Sequence, residues 1–260
     1  MHRDEISVDG RRIPLFALNT LVVGSGAAAL NAAVSGKTNQ RGRLVLRHRG
    51  PACVGAVALL VDADPQCNLS SGVGLKGQSA PAGDIYDALM TDDLADPSAF
   101  IVPTKVSGLF AIPADRNLAG AEIELVPMLA REARLRRVIE PLRTRFDYIL
   151  IDCPPSLGLL TLNALVASDS VLVPLQTEFF ALEGVSQITR TVERVKRSLN
   201  PDLELEGIVL TMFDKRNNLS ELVAADVRAF FGDKVYTTVI PRNVRISEAP
   251  SHGLPVILYD

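Results

Sequence analysis

The sequence predicts an α/β fold, a mostly parallel sheet flanked by helices in three layers. Short apolar runs rich in β-branched residues alternate with stretches of helical period, as crossover units around a parallel sheet require. Two of the runs end in aspartate: Leu60-Val61-Asp62-Ala63-Asp64-Pro65-Gln66 and Tyr148-Ile149-Leu150-Ile151-Asp152-Cys153-Pro154-Pro155. The carboxyl edge of such a sheet is where ligands bind.

Taken in order, the first strand is expected at Phe16 to Val23, leading through Gly24-Ser25-Gly26 into an alanine-rich helix at Ala27 to Val34. Further strands are expected at Ala56 to Val61, Tyr148 to Ile151, Ser170 to Leu175, Leu205 to Met212 and Val235 to Ile240. Gly77 to Pro103 is rich in Ala, Gly, Asp and Pro and reads as a surface loop with a short helix around Ile85, Leu89 and Met90. Met128 to Arg145 sets Leu129, Leu135, Val138, Ile139 and Leu142 on a helical period, with Pro141 bending or ending the helix. Leu182 to Leu199 repeats the pattern through Val185, Ile188, Val192 and Val195. Asn218 to Phe231 is a third such helix, apolar at Leu219, Leu222, Val223, Val227 and Phe230 and closed by Gly232.

At 260 residues the chain can bury one sizeable core, so residues 1–260 are expected to form a single domain. The 27 basic and 30 acidic side chains leave a net charge of −3, so nucleic-acid contact would need a local basic patch. Cys53, Cys67 and Cys153 are odd in number, and His2, His48 and His252 lie far apart; both facts argue against a disulfide framework and a structural zinc site. No apolar run approaches membrane-spanning length and the N-terminus has no signal pattern, so a cytoplasmic protein without membrane attachment is expected.

The period of a strand would send Asp62 and Asp64 to one face, unless the strand ends between them. A carboxylate there orients water or holds magnesium through water, although capping a strand end is an equally simple role. Asp152 is expected just beyond its buried strand, where Pro154-Pro155 forces an extended turn. Ser35-Gly36-Lys37-Thr38 is a fragment of a phosphate loop: Gly36 gives backbone room, Lys37 a partner for phosphate oxygens and Thr38 a hydroxyl for magnesium. It lies beyond a helix rather than at a strand-to-helix turn. Gly24-Ser25-Gly26-Ala27-Ala28-Ala29 resembles the FAD-binding opening of flavoprotein oxidoreductases. No acidic residue follows Leu44-Val45-Leu46 to hold a ribose, and a tight turn also accounts for the glycines.

A set of ordered motifs from about Leu59 onward is more specific. These are Val61 through Asn68, Ile112-Pro113-Ala114, Leu118-Ala119-Gly120-Ala121-Glu122, Asp147 through Asn163, Val173 through Gly184, Leu210-Thr211-Met212-Phe213-Asp214, and Ile240-Pro241-Arg242-Asn243-Val244-Arg245. Together they resemble the ParA/Soj chromosome- and plasmid-partitioning ATPases, within the MinD/ParA group of deviant Walker A, P-loop NTPase-like proteins. The resemblance implies ATP and Mg2+ as cofactors, a nucleotide-dependent homodimer, non-specific double-stranded DNA as a partner, and hydrolysis stimulated by a ParB-like centromere-binding protein. It also implies a cytoplasmic, nucleoid-associated location.

By position, Asp64 resembles the aspartate that helps position attacking water, and Asp152 the second acidic motif near magnesium. Thr38 is the remaining candidate metal ligand. Pro241 and Arg242 lie where the family borders the adenine base, and Arg216 and Arg245 where it contacts DNA, with Arg228 nearby in sequence. Residues 1–55 depart from the family, which opens with Lys-Gly-Gly-Val-Gly-Lys-Thr-Thr; no such octet stands here. The chain also stops at Tyr259-Asp260, where the family continues into a closing helix. A fragment, a fusion, an assembly artefact and a degenerate paralogue are all consistent with these departures, and impaired turnover is expected. The alternatives are a non-hydrolysing ParA-like DNA-binding or dimerisation module and a flavin- or nicotinamide-binding oxidoreductase fragment.

Overall fold

The computed structural model describes residues 4–8, 11–15, 18–23 and 57–259. Strands β1 (Asp4–Val8) and β2 (Arg11–Leu15) form a separate antiparallel pair. The main sheet holds β3 (Leu18–Val23), β4 (Ala58–Asp62), β5 (Val102–Pro103), β6 (Leu109–Ile112), β7 (Tyr148–Cys153), β8 (Ser170–Gln176), β9 (Glu204–Phe213) and β10 (Val235–Pro241). Their spatial order is β10-β9-β8-β3-β7-β4-β6-β5. Every pairing is parallel except that of the short edge strand β5 with β6.

Helices follow the strands as crossovers: α1 (Asn68–Gly72), α2 (Ile85–Met90), α3 (Leu118–Glu124), α4 (Arg134–Ile139), α5 (Leu159–Ala167), α6 (Ala181–Ser198), α7 (Asn218–Phe231), α8 (Val244–Glu248) and α9 (Val256–Tyr259). Strand alternation divides the core. Leu59, Val61, Ile112, Ile149, Ile151, Val171 and Val173 join Leu135, Val138, Leu165, Val185 and Val192 in the large cluster on one face. Ala58, Leu60, Leu109 and Ala111 meet Leu69, Val73 and Leu75 on the other. Burial on both faces explains why these strands read as unbroken apolar runs.

The expected helix over Met128 to Arg145 is broken. A 3-10 turn at Arg131–Ala133 leads into α4, and a second at Glu140–Leu142 contains Pro141, which lacks the N–H to continue an α-helix. Ala130 is left-handed at φ 50° and halts any earlier start. Leu129 therefore lies 90% exposed instead of in the core.

Helix α7 spans the expected residues, but the core takes Ser220, Val223, Ala224 and Val227 and leaves Leu222 and Phe230 outside. Strand β6 and helices α3 and α5 were not expected as elements. In α5 nearly every side chain is buried, so it has no polar face to betray its period. No helix among the described residues is long and apolar enough to cross a membrane.

Candidate functional site at the carboxyl edge of the sheet

Parallel pairing aligns the acidic strand ends. Asp62 is the last residue of β4 and sits in register with Asp152 of β7. The Ala63 N–H donates to the Asp152 carbonyl at 2.7 Å. Asp152 thus lies within its strand, one residue before the end, rather than beyond it as expected. The strand carrying Asp62 stops there, so Asp64 belongs to the following turn and the period of a strand does not govern it.

The three carboxylates are all buried yet differ in their partners. Asp62 accepts from the Ser70 N–H at 2.8 Å, the Ser70 hydroxyl at 2.6 Å and the Asp64 N–H at 3.2 Å. Ser70 Oγ in turn accepts from the Ala114 N–H at 3.0 Å, which ties β4, α1 and the end of β6 together. Asp64 accepts from the Gln66 N–H at 2.9 Å, and its carbonyl accepts from the Cys67 N–H at 2.9 Å. That tight turn puts Cys67 in a left-handed conformation at φ 55°.

Asp152 is different. It is 3% exposed, and neither carboxylate oxygen has a hydrogen-bond partner among the described residues. Leaving such a group unpaired is costly, so an orphaned buried carboxylate calls for an explanation. Burial first, then the charges of Asp62 and Asp64, push its pKa well above the ordinary value. Burial likewise pushes Asp62 up to about 6, against the lowering effect of its Ser70 hydrogen bonds.

The donor set suits a hard cation held through water. No group of three or more His, Cys, Asp or Glu among the described residues forms a complete metal cage. Magnesium is usually bound by one or two carboxylates with phosphates and waters completing the shell, and Asp152 offers such a carboxylate.

The loop that follows Asp152 is held at both ends. The Thr161 hydroxyl donates to the Pro154 carbonyl at 3.0 Å. Glu122 of α3 accepts from the Leu159 and Leu160 N–H groups at 2.7 and 3.2 Å. The contacts of Ser70, Glu122 and Thr161 have no local signature in the sequence, because their partners lie on other elements. Only the placement of Glu122 within a matched motif hinted at a role.

A second region lies farther along the same edge, where β9 and β10 end. A cavity of about 430 Å³ is lined by Phe213, Asp214, Lys215, Arg216, Val239, Pro241 and Arg242. The Arg242 N–H donates to the Phe213 carbonyl at 3.0 Å, and Met212 is left-handed at φ 54°, uncommon for a side chain of its size. The sequence-expected DNA residue Arg216 shares this cavity with the expected base neighbours Pro241 and Arg242. It makes a two-point ion pair with Asp214, at 3.1 and 3.0 Å, which holds the Asp214 carboxyl down at about 2. Arg245 stands apart on α8, near Glu248 at 3.6 Å and over the Tyr259 ring at 5.8 Å.

Gly36, Lys37 and Thr38 lie outside the described residues, as does the Gly24–Ala29 fingerprint. Strand β3 ends between β7 and β8, with Val22 opposite Asp152 and Val23 opposite Cys153.

Comparison with known proteins agrees with this geometry. An AAA domain family matches residues 45–205. The chromosome partitioning protein ParA of Caulobacter vibrioides (strain NA1000 / CB15N) is 56% identical over 211 residues, 80% of this chain and 78% of that protein. The sporulation initiation inhibitor protein Soj of Bacillus subtilis (strain 168) is 56% identical over 209 residues, 80% of this chain and 81% of that protein. Among solved structures, cobyrinic acid a,c-diamide synthase from Mycobacterium smegmatis with bound ADP and magnesium superposes with a TM-score of 0.72 at 35% identity, covering 93% of this chain and 91% of that one. The acidic strand ends, the parallel sheet and these relatives together place the chain in the ParA/Soj family of chromosome-partitioning ATPases, with an AAA-domain, P-loop NTPase-like fold.

Proposed function

We propose that this chain binds ATP with Mg2+ along the carboxyl edge of its sheet and acts in chromosome or plasmid partitioning as a nucleotide-dependent homodimer. The observation behind this reading is Asp152, a buried carboxylate with no hydrogen-bond partner among the described residues, at the position where the family resemblance puts magnesium. Magnesium, when bound, supplies the positive charge that such a carboxylate and a triphosphate both need. Asp152 and Thr38 would hold the ion, Asp64 would orient water, and Lys37 would meet phosphate oxygens, with Gly36 in the same fragment giving backbone room. Pro241 and Arg242 border the base. They end a strand four places from β7 in the sheet, about 19 Å away at roughly 4.8 Å per strand, a span comparable with an extended nucleoside triphosphate. The similar synthase structure carrying ADP and magnesium supports an adenine nucleotide with magnesium here.

Exposed apolar side chains at the same edge support self-association. Leu157, Phe179 and Phe180 follow the carboxyl ends of β7 and β8 and are 54%, 76% and 71% exposed, and apolar groups gathered beside a site mark interaction surfaces. In the dimer, Arg216 and Arg245 of each protomer gather phosphates of double-stranded DNA without reading sequence. A ParB-like centromere-binding protein stimulates hydrolysis, and the protein works in the cytoplasm on the nucleoid as one domain spanning residues 1–260. Turnover is slow, because the family's lysine- and glycine-rich octet is absent from the sequence and each lost transition-state donor costs roughly 3 kcal/mol.

Calorimetric titration with ATP, with and without Mg2+, tests this reading. It predicts magnesium-dependent binding that Asp152→Asn abolishes. DNA binding that persists unchanged without ATP would instead identify a non-hydrolysing DNA-binding module.

A further inference from the structure

The motif Leu118-Ala119-Gly120-Ala121-Glu122 matches the family, yet nothing in the nucleotide site uses it. From its geometry we infer that Glu122 is a positioning residue that fixes the loop between Asp152 and α5 in the arrangement the nucleotide acts upon. The inference rests on the proposed Mg2+·ATP site.

Three observations converge on Glu122. Its two carboxylate oxygens are divided between consecutive backbone donors, the Leu159 and Leu160 N–H groups, in the first turn of α5. Those N–H groups have no partner within the helix, so a carboxylate from another element both satisfies them and complements the helix dipole. The second observation is Gly158. Its φ of −83° and ψ of −176° are open to any residue, so backbone freedom does not explain a glycine there. Room does: a Cβ on Gly158 would lie within 2.7 Å of the Glu122 carboxyl carbon. The third is the other end of the loop, where Asp152 is fixed in β7 and Pro154 is held by the Thr161 hydroxyl at 3.0 Å.

Between these anchors Pro155, Ser156 and Leu157 make no hydrogen bond among the described residues, and Leu157 is exposed. The Glu122 clamp therefore decides where a change at Asp152 is expressed: in those three residues rather than in α5. Glu124, on the same short helix, accepts from the Tyr86 hydroxyl at 2.5 Å. This second contact braces α3 against α2, so that Glu122 is presented from a fixed support.

Hydrogen exchange by mass spectrometry on the full chain, with and without Mg2+·ATP, tests the role in wild type, Glu122→Ala, Glu122→Gln and Gly158→Ala. The glycine variant displaces the carboxylate without removing it, so it perturbs the same contact independently. In both alanine variants, exchange at Leu159 and Leu160, whose N–H groups donate to Glu122, should rise about tenfold, the loss expected for a charge-assisted hydrogen bond, while β4 and α6 stay protected. Mg2+·ATP affinity should stay within about threefold of wild type, as expected for a group remote from the ligand. The protection that Mg2+·ATP adds to the loop should be lost, and Glu122→Gln, which keeps one acceptor, should recover part of it. Nucleotide-linked protection that survives intact in Glu122→Ala and Gly158→Ala would overturn the role of Glu122 alone. A wild-type loop indifferent to Mg2+·ATP would overturn the nucleotide site itself, and this inference with it.

Discussion

Replacing Asp152 by asparagine should stabilise the nucleotide-free protein while destroying its response to Mg2+·ATP. The side chain is 3% exposed, and neither oxygen has a partner among the described residues, so folding must either bury an uncompensated charge or hold a proton on the group. The second route sets a ceiling. Its ordinary pKa is 3.8, and at about 1.4 kcal/mol per pH unit, protonating such a group at pH 7 costs at most about 4 kcal/mol. Asparagine has nearly the same shape and avoids that cost, so a gain of up to about 4 kcal/mol is expected. For a chain of this size it should appear as a rise in thermal midpoint of up to about 10 °C. Saturating Mg2+·ATP, at about a hundred times its dissociation constant, should add about 2.7 kcal/mol to wild type and nothing to the variant. Differential scanning fluorimetry with and without Mg2+·ATP reads both effects. The reasoning is refuted if Asp152→Asn is the less stable protein without nucleotide, or if both proteins respond equally to Mg2+·ATP.

Stability should also depend on pH in a defined direction. Burial pushes Asp62 up to about 6 from 3.8, so the folded state binds its proton more tightly than the unfolded chain. The resulting stabilisation is complete below about pH 4 and lost as pH rises through about 6, a change of roughly 3 kcal/mol. Urea unfolding of wild type and Asp62→Asn should show the gap between them moving by that amount in favour of the variant from pH 4 to pH 7; a constant gap would be incompatible with this assignment. Ala130→Gly should stabilise by about 0.5–1 kcal/mol, because relief of the left-handed strain at φ 50° exceeds the extra freedom of the unfolded chain. Chemical denaturation checks the sign, and destabilisation would contradict it. Arg216→Ala and Arg245→Ala should each weaken binding to a DNA duplex evenly across sequences and lower the salt slope by about one per protomer. Their present ion pairs are exposed and exchange readily for phosphate. Fluorescence anisotropy between 50 and 200 mM salt (about the range in which the effect is large) would show an unchanged slope if these arginines do not touch DNA.

The main strands were legible because burial on both faces writes them as continuous apolar runs, and β7 shows this most clearly in Tyr148 to Ile151. Helices α6 and α7 were legible because each has one polar side. Strand β6, with only four residues, and α5, whose burial leaves no polar face, carry no periodic signal in the sequence. Leu129 was assigned to the core by periodicity alone, which cannot register a left-handed Ala130 interrupting the chain beside it. Asp64 and Asp152 could be named as candidate site residues from the acidic ends of two apolar runs. That Asp62, not Asp64, stands opposite Asp152 depends on the register between β4 and β7, a long-range property with no local signature. The same holds for Glu122, whose partners lie 37 and 38 residues away. The pairing of Arg216 with Asp214, two residues apart, was within reach of the sequence; its sharing a cavity with Pro241 and Arg242 was not.

Asp152 as the anchor of a hydrated metal is the claim on which the functional account depends, and Mn2+ in place of Mg2+ tests it most directly. In crystals of the full chain grown with ATP and Mn2+, the anomalous signal should place one ion within about 5 Å of the Asp152 carboxylate, the reach of a single bridging water. An ion bound elsewhere, with Asp152 still unpartnered, would contradict the account.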